Sequence, residues 1–152
     1  MYVVQLTEAN VDDLLALAKL VHNERYSHLP YDREIVRANA LFVANCVSTM
    51  CAYIAYTHKH GPVGFITGEI RPYTFNSEKF VEQGVWFVRR EQRGSIAAAM
   101  LKDELETWAV RRGAREVFMA LISTRDDENE TVDDMFNKAG YSRVGAFYKK
   151  EL

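Results

Sequence analysis

Just ahead of a long helical pattern the chain sets Arg89-Arg90-Glu91-Gln92-Arg93-Gly94-Ser95, with three arginines, a glycine and a hydroxyl in one short turn. Where such a turn joins a strand to a helix, it is a device for holding phosphate. The amides of a first helical turn have no intrahelical acceptor, the helix dipole favours an anion there, and glycine lets a ligand come close to the backbone. The segment is neither a Walker loop, lacking Gly-Lys-Ser/Thr, nor a Gly-x-Gly-x-x-Gly fingerprint. Gly-Arg turns also serve solubility alone, so the flanking elements decide its meaning. No other cluster competes for chemistry. His22, His58 and His60 have no partner at catalytic or metal-ligand spacing. Cys46 and Cys51 lie in apolar surroundings without a histidine at zinc spacing, so they read as buried, reduced thiols and no metal is expected.

The elements that must hold this turn follow from apolar periodicity. Tyr2 to Leu6 reads as a strand. Thr7 precedes a first helix carrying Val11, Leu14, Leu15, Ala18 and Val21 at helical spacing, with Glu8, Asp12 and Asp13 near its positive end. A polar and aromatic loop, His22 to Tyr31, leads to a second helix with Asp32 as N-cap and an apolar face of Ile35, Val36, Phe42 and Val43, interrupted by Asn39. Met50 to Thr57 and Val63 to Ile70 form a hairpin across His58-Lys59-His60-Gly61-Pro62, and Phe80 to Val88 is a further strand running into the turn.

The long helix after the turn has Ala97, Leu101, Leu105, Trp108 and Ala109 on one face and ends at Arg111-Arg112-Gly113. Glu116 to Ser123 reads as a strand, Glu130 to Lys138 as a short helix closed by Gly140, and Tyr141 to Glu151 as one or two last strands. The order β-α-α-β-β-β-α-β-α-β(-β) predicts an α/β (α+β) fold, a mixed sheet covered by helices on both faces.

With 152 residues, no repeat and no linker-like tract, the chain reads as a single domain over 1–152. Its net charge of −2 argues against nucleic acid as partner, since phosphate-backbone binding needs a dense cationic surface. The amino terminus lacks the basic region and apolar run of a secretory signal, and no apolar stretch has membrane-spanning length, so a cytoplasmic protein with no membrane partner is expected.

The turn and its flanks resemble the GNAT superfamily of N-acetyltransferases, whose signature Arg/Gln-x-x-Gly-x-Gly/Ala lies between the fourth strand and third helix. Val88-Arg-Arg-Glu-Gln-Arg-Gly-Ser-Ile-Ala-Ala-Ala-Met-Leu101 is similar to that segment. So are Leu29-Pro-Tyr-Asp32, Gly64-Phe-Ile-Thr-Gly68, Trp108-Ala through Gly113-Ala-Arg115, and Gly140-Tyr-Ser-Arg-Val-Gly145 through Lys149-Lys-Glu-Leu152. The resemblance covers essentially the whole chain and implies a mostly antiparallel sheet. One departure stands out. With Arg93 first, Ile96 takes the central glycine's place and Ala98 the last small position; with Gln92 first, these become Ser95 and Ala97. The spacing from Val88 favours Arg93.

The resemblance implies acetyl-CoA as co-substrate, with the amides of Gly94, Ser95 and Ile96 and the first helical residues Ala97 and Ala98 on the pyrophosphate, and a charge-assisted contact from Arg89, Arg90 or Arg93. An alkylamine with a pKa of ~10.4 is neutral in only about one part in a thousand at pH 7, so the amine must lose a proton before it attacks the thioester. In the resembling family a strand-4 amide polarises the carbonyl, which points here to Val88 or Phe87. Glu82, six residues before Val88, shares its face by the period-two rule and is the candidate base; Glu69 on the neighbouring strand is the second. Phe136 stands where many such enzymes place a proton-donating tyrosine, leaving Tyr148, Ser123 or water for the thiolate.

The acceptor, a small-molecule or protein amine, is expected against the loop between the first two helices, walled by Tyr26, His28 and Tyr31. The acidic run Asp126-Asp-Glu-Asn-Glu130 reads either as an attractor of cationic amines or as a solvated helix cap. A homodimer is compatible with this reading. So is a CoA-binding regulatory module with weak or lost catalysis, which the missing tyrosine and glycine favour.

Overall fold

In the computed structural model, which describes residues 1–120 and 133–150, the chain divides into two compact units, Met1–Met119 and Ala120–Leu152. The strand-like runs of the first unit build one five-stranded sheet in sequence order: β1 (Tyr2–Gln5), β2 (Met50–Thr57), β3 (Gly61–Pro72), β4 (Lys79–Val88) and β5 (Ala114–Phe118). All neighbours pair antiparallel except β4 and β5, which run parallel. A parallel pair needs a crossover, and α3 (Ala97–Arg111) supplies it.

Period-two alternation sends side chains to two cores. On one face Cys51, Tyr53, Val63, Ile66, Val81 and Val88 meet Ala97, Leu101, Leu105, Trp108 and Ala109 of α3. On the other, Ala52, Ile54, Phe65 and Phe87 meet α1 (Val11–Arg25) and α2 (Arg33–Asn45) through Leu14, Leu15, Leu17, Val21 and Ala40. Leu101 and Leu105 are fully enclosed, each burial contributing about 1.5–3 kcal/mol. The third helix lies this close because β3 is bare at Gly68, where a Cβ would collide with Leu105 Cδ1 and crowd Cys51 Sγ.

Three elements differ from the sequence reading. The first helix continues through His22 to Arg25, residues read as loop, and closes with Tyr26 N–H donating to His22 O at 2.8 Å. A helical turn exposed to water needs no apolar residue, so the amphipathic pattern stops before the helix does. The second helix is capped as expected, Asp32 Oδ1 accepting from the N–H groups of Glu34 and Ile35 at 2.9 and 3.1 Å. Its inward stripe, however, is Val36, Ala40, Val43 and Ala44, leaving Ile35 and Phe42 each 60% exposed. The last strand of the sheet starts earlier than read, at Ala114; residues 121–123 lie outside the described residues.

In the second unit residues 133–138 are helical and end in a glycine cap. Gly140 has φ 84°, its N–H donates to Asn137 O at 3.1 Å, and Tyr141 N–H donates to Phe136 O at 2.9 Å. Residues 130–132 lie outside the described residues. Residues 141–150, read as one or two strands, pair in no ladder among the described residues, and all but Tyr141 are exposed. Alternation marks a chain able to join a sheet, but a strand exists only through its partner's hydrogen bonds.

Cys51 is buried while Cys46 is half-exposed, so only one of the two thiols matches the buried reading. Burial pushes the Cys51 thiol from 9.0 up to about 12. Between those values the folded chain keeps a proton that the unfolded chain has lost, so this contribution to stability is whole below pH 9 and is lost as pH rises toward 12. Denaturant titrations from pH 8 to 11 are expected to show stability falling, and Cys51→Ala is expected to flatten that fall. In the native protein a thiol reagent should modify one cysteine per chain, Cys46.

Candidate active site

The fourth strand carries one residue more than its neighbour. Ile66 faces Trp86 and Gly68 faces Gln83, so Thr67 alone spans Gly84 and Val85. The Thr67 hydroxyl fills the gap by accepting the Val85 N–H at 2.8 Å, and Gly84 leaves room for it, since a Cβ there would lie 2.6 Å from the same oxygen. This is a β-bulge held by a side chain.

The bulge changes which residues share a face. Val81 and Val88, an odd number of positions apart, both lie in the core beneath α3. Glu82 therefore falls on the α1 and α2 face with Phe87, and not with Val88 as an uninterrupted period of two requires. Among the described residues the pairing of β4 with β5 runs from Lys79↔Ala114 to Glu82↔Phe118. Arg89 donates its N–H to Val63 O at 2.8 Å, so by strand alternation Val88 presents N–H and C=O to the edge away from β3. Between Phe87 and Val88, the second has its amide on the edge away from β3, where no described residue accepts it.

The strand ends in a single 3-10 turn, Arg90–Gln92, and Gly94 takes φ 84° before α3 begins at Ala97. That left-handed conformation costs an L-residue about 1–2 kcal/mol. Ser95 donates its N–H to Gln92 O at 3.2 Å, and its Oγ accepts from Ala97 N–H at 3.3 Å. Among the described residues no acceptor takes the N–H groups of Gly94, Ile96, Ala98 or Ala99. Four unanswered amides beside a 15-residue helix start fit a pyrophosphate.

The arginines divide their work. Arg93 pairs with Glu24 of α1, and its Nε donates to Val88 O at 3.2 Å, so it ties the turn to the first helix and to the strand end. Arg89 has a buried Nε without a hydrogen-bond partner, and its Nη1 lies 3.8 Å from Glu91. Arg90 is exposed. Ile96, at the place of the absent glycine in the Arg93 register, is 63% exposed, while Ala97 is fully buried and Ala98 half-buried.

On the α1 and α2 face a cavity of about 330 Å³ opens against Phe65 and the bulge residue Val85. Tyr26 and Tyr31 line it. His28 is exposed and does not; its place on the wall belongs to His22, whose Nε2 lies 2.8 Å from Leu29 O and whose ring tilts against Tyr31 at 5.1 Å. The sequence reading set His22 aside, yet it sits four residues after Ala18 and continues the helical stripe.

Glu69 and Glu82 face each other across β3 and β4. Arg71 joins them, Nε at 3.3 Å from Glu69 and Nη1 at 3.4 Å from Glu82. Tyr148 belongs to the second unit and is 96% exposed. Ser123 and the run 126–130 lie outside the described residues. Among the described residues no three His, Cys, Asp or Glu side chains are grouped to hold a metal ion, and no helix is long and apolar enough to cross a membrane.

The family model of the acetyltransferase (GNAT) family matches residues 11–141, spanning the bulge, the turn and both helical layers. The chain belongs to the GNAT family. Its class is accordingly that of the N-acetyltransferases. Solved structures of similar fold include AAC(6')-Iy in complex with the bisubstrate analogue CoA-S-monomethyl-acetylneamine, at 18% identity and TM-score 0.74 over 99% of this chain and 98% of that one. A ribosomal-protein-alanine N-acetyltransferase from Brucella melitensis biovar Abortus 2308 aligns at 14% identity and TM-score 0.71 over the full length of both chains. An aminoglycoside acetyltransferase, HMB0005, from an uncultured soil metagenomic sample, aligns at 17% and 0.75 over 99% and 97%. Among curated proteins no sequence matches.

One hydroxyl pins the bulge. Thr67→Val removes the acceptor for Val85 N–H and is expected to cost about 0.5–1.5 kcal/mol in urea unfolding, whereas Thr67→Ser should stay near wild type.

Proposed function

We propose that the protein moves the acetyl group of acetyl-CoA to a primary amine by direct attack in a ternary complex. The observation that carries this reading is the Val88 amide, turned away from β3 at the end of β4, next to a turn with four amides that no described residue accepts. The amides of Gly94, Ile96, Ala98 and Ala99, with Ser95 and Ala97 shaping the turn, hold the pyrophosphate, and the Arg89 guanidinium supplies the charge-assisted contact. Phe87 packs beneath the strand while the Val88 N–H polarises the thioester carbonyl, where negative charge develops as the amine adds.

The amine nitrogen attacks the carbonyl carbon, the C–S bond breaks, and CoA leaves as thiolate. Glu82 accepts the ammonium proton, directly or through water, and Arg71 keeps its carboxylate in place beside Glu69. A thiolate with an ordinary pKa of ~8.5 leaves with little help, and Tyr148 is the side chain proposed to protonate it. Tyr26 and Tyr31 hold the acceptor in the cavity. An aminoglycoside acetyltransferase and a ribosomal-protein-alanine N-acetyltransferase among the similar structures support nitrogen as the acceptor atom.

Acetyl-CoA is expected to raise the melting temperature by linkage, and an amine panel to release free CoA thiol. Arg89→Ala should weaken acetyl-CoA binding about tenfold, the scale of one lost charged hydrogen bond. Glu82→Gln should lower kcat about a hundredfold with unchanged acetyl-CoA affinity, and Tyr148→Phe should lower it less. A melting temperature that ignores acetyl-CoA defeats the proposal, and binding without thiol release leaves a CoA-binding module in its place.

A further inference from the structure

The acetyl-transfer reading leaves the acceptor open, and the cavity beneath the first two helices narrows it. Its volume of about 330 Å³ lies at the lower end of the ~300–1,000 Å³ usual for small-molecule sites, room for one ring and a short arm. Its walls are apolar or aromatic: Val21, Leu29, Phe65 and Val85 with the rings of Tyr26 and Tyr31.

Beside the two tyrosine hydroxyls, the polar side chains at the described walls are Asp32, His22 and the neighbouring Lys19. Asp32 is the carboxylate of the lining, and its Oδ1 is held by the amides that begin α2. His22 Nε2 is held at 2.8 Å by the Leu29 carbonyl. The Lys19 ammonium lies 4.2 Å over the Tyr31 ring, so that wall already carries a positive charge. A ligand with several ammonium groups would bring like charge toward Lys19 and strip water from several cations, for which the described lining offers one carboxylate, Asp32. A single amine needs one partner at most, and it reacts as the neutral base, emerging at Val85 where β4 bulges.

We infer that the acceptor is a compact primary monoamine with an apolar body about the size of one aromatic ring, such as an arylalkylamine. This rests on the acetyl-transfer reading and assigns that site its substrate class.

The test compares acceptors with the full chain at saturating acetyl-CoA, following thiol release. The series is propylamine, hexylamine, benzylamine and 2-phenylethylamine against spermidine, neamine and an alanine-terminated hexapeptide. The inference predicts kcat/KM rising up to about fourfold per added methylene until the cavity fills, with 2-phenylethylamine at least about a hundredfold better than spermidine or neamine. Ile35→Asp, placing a carboxylate on an exposed wall position, should cut that ratio about tenfold or more while leaving acetyl-CoA binding unchanged.

A polyamine, neamine or the peptide as best acceptor overturns the inference and leaves acetyl transfer standing. If acetyl-CoA binds but no amine reacts, the transferase reading fails, and the cavity's preference is read separately by titrating 2-phenylethylamine against melting temperature. A rise abolished by Val85→Trp, in protein that still responds to acetyl-CoA, supports it; no rise, or one that survives the substitution, overturns it.

Discussion

The hydrogen bond from Val85 N–H to Thr67 Oγ1, 2.8 Å long, holds an extra residue in β4, and both halves of the site depend on that residue. It reverses the parity of the strand, so that Glu82 and Val85 face the α1 and α2 layer while Val88 packs under α3. Beyond it, past Glu82↔Phe118, the last pair with β5 among the described residues, the Val88 amide is turned away from β3. That amide lies between two helical layers and beside an amide-rich turn, where an extended ligand can bond it.

The packing of α3 is the second half of the arrangement. Because Gly68 has no side chain, Leu105 settles on the sheet, and the helix start is carried with it to the end of β4. Arg93 then ties the turn to Glu24 and to the Val88 carbonyl. Exposed ion pairs contribute about 0–1 kcal/mol, but this one is three-quarters buried on the arginine side and joins three elements, so its effect is mainly on the position of the turn. Arg89 keeps a buried Nε that no described residue accepts, and Arg90 is exposed beside it.

Much of this arrangement was legible in the residues. The runs that alternate or repeat at helical spacing became β2, β4, α1 and α3, and Asp32 caps α2 as its type and place require. The position of Glu82 was misread because a bulge adds a residue without altering hydropathy; Gly84 between Gln83 and Val85 was its one trace in the sequence. His22 was missed because an overhanging helical turn carries no apolar signal, although its spacing from Ala18 continues the stripe. The exposed segment 141–150 carries an alternating pattern but has no ladder partner among the described residues. The residues of the turn pointed to phosphate and the resemblance to acetyl-CoA, while the ties of Arg93 to Glu24 and to the Val88 carbonyl were visible only in the structure.

The central claim is that the edge of β4 and the start of α3 form one binding surface for acetyl-CoA. Residue-resolved amide exchange by NMR, with and without acetyl-CoA, tests it most directly. The account predicts slowed exchange at Val88, Gly94, Ile96, Ala98 and Ala99, with little change along β1. Saturation with acetyl-CoA that leaves those five amides unprotected, or protects a different surface, would contradict it.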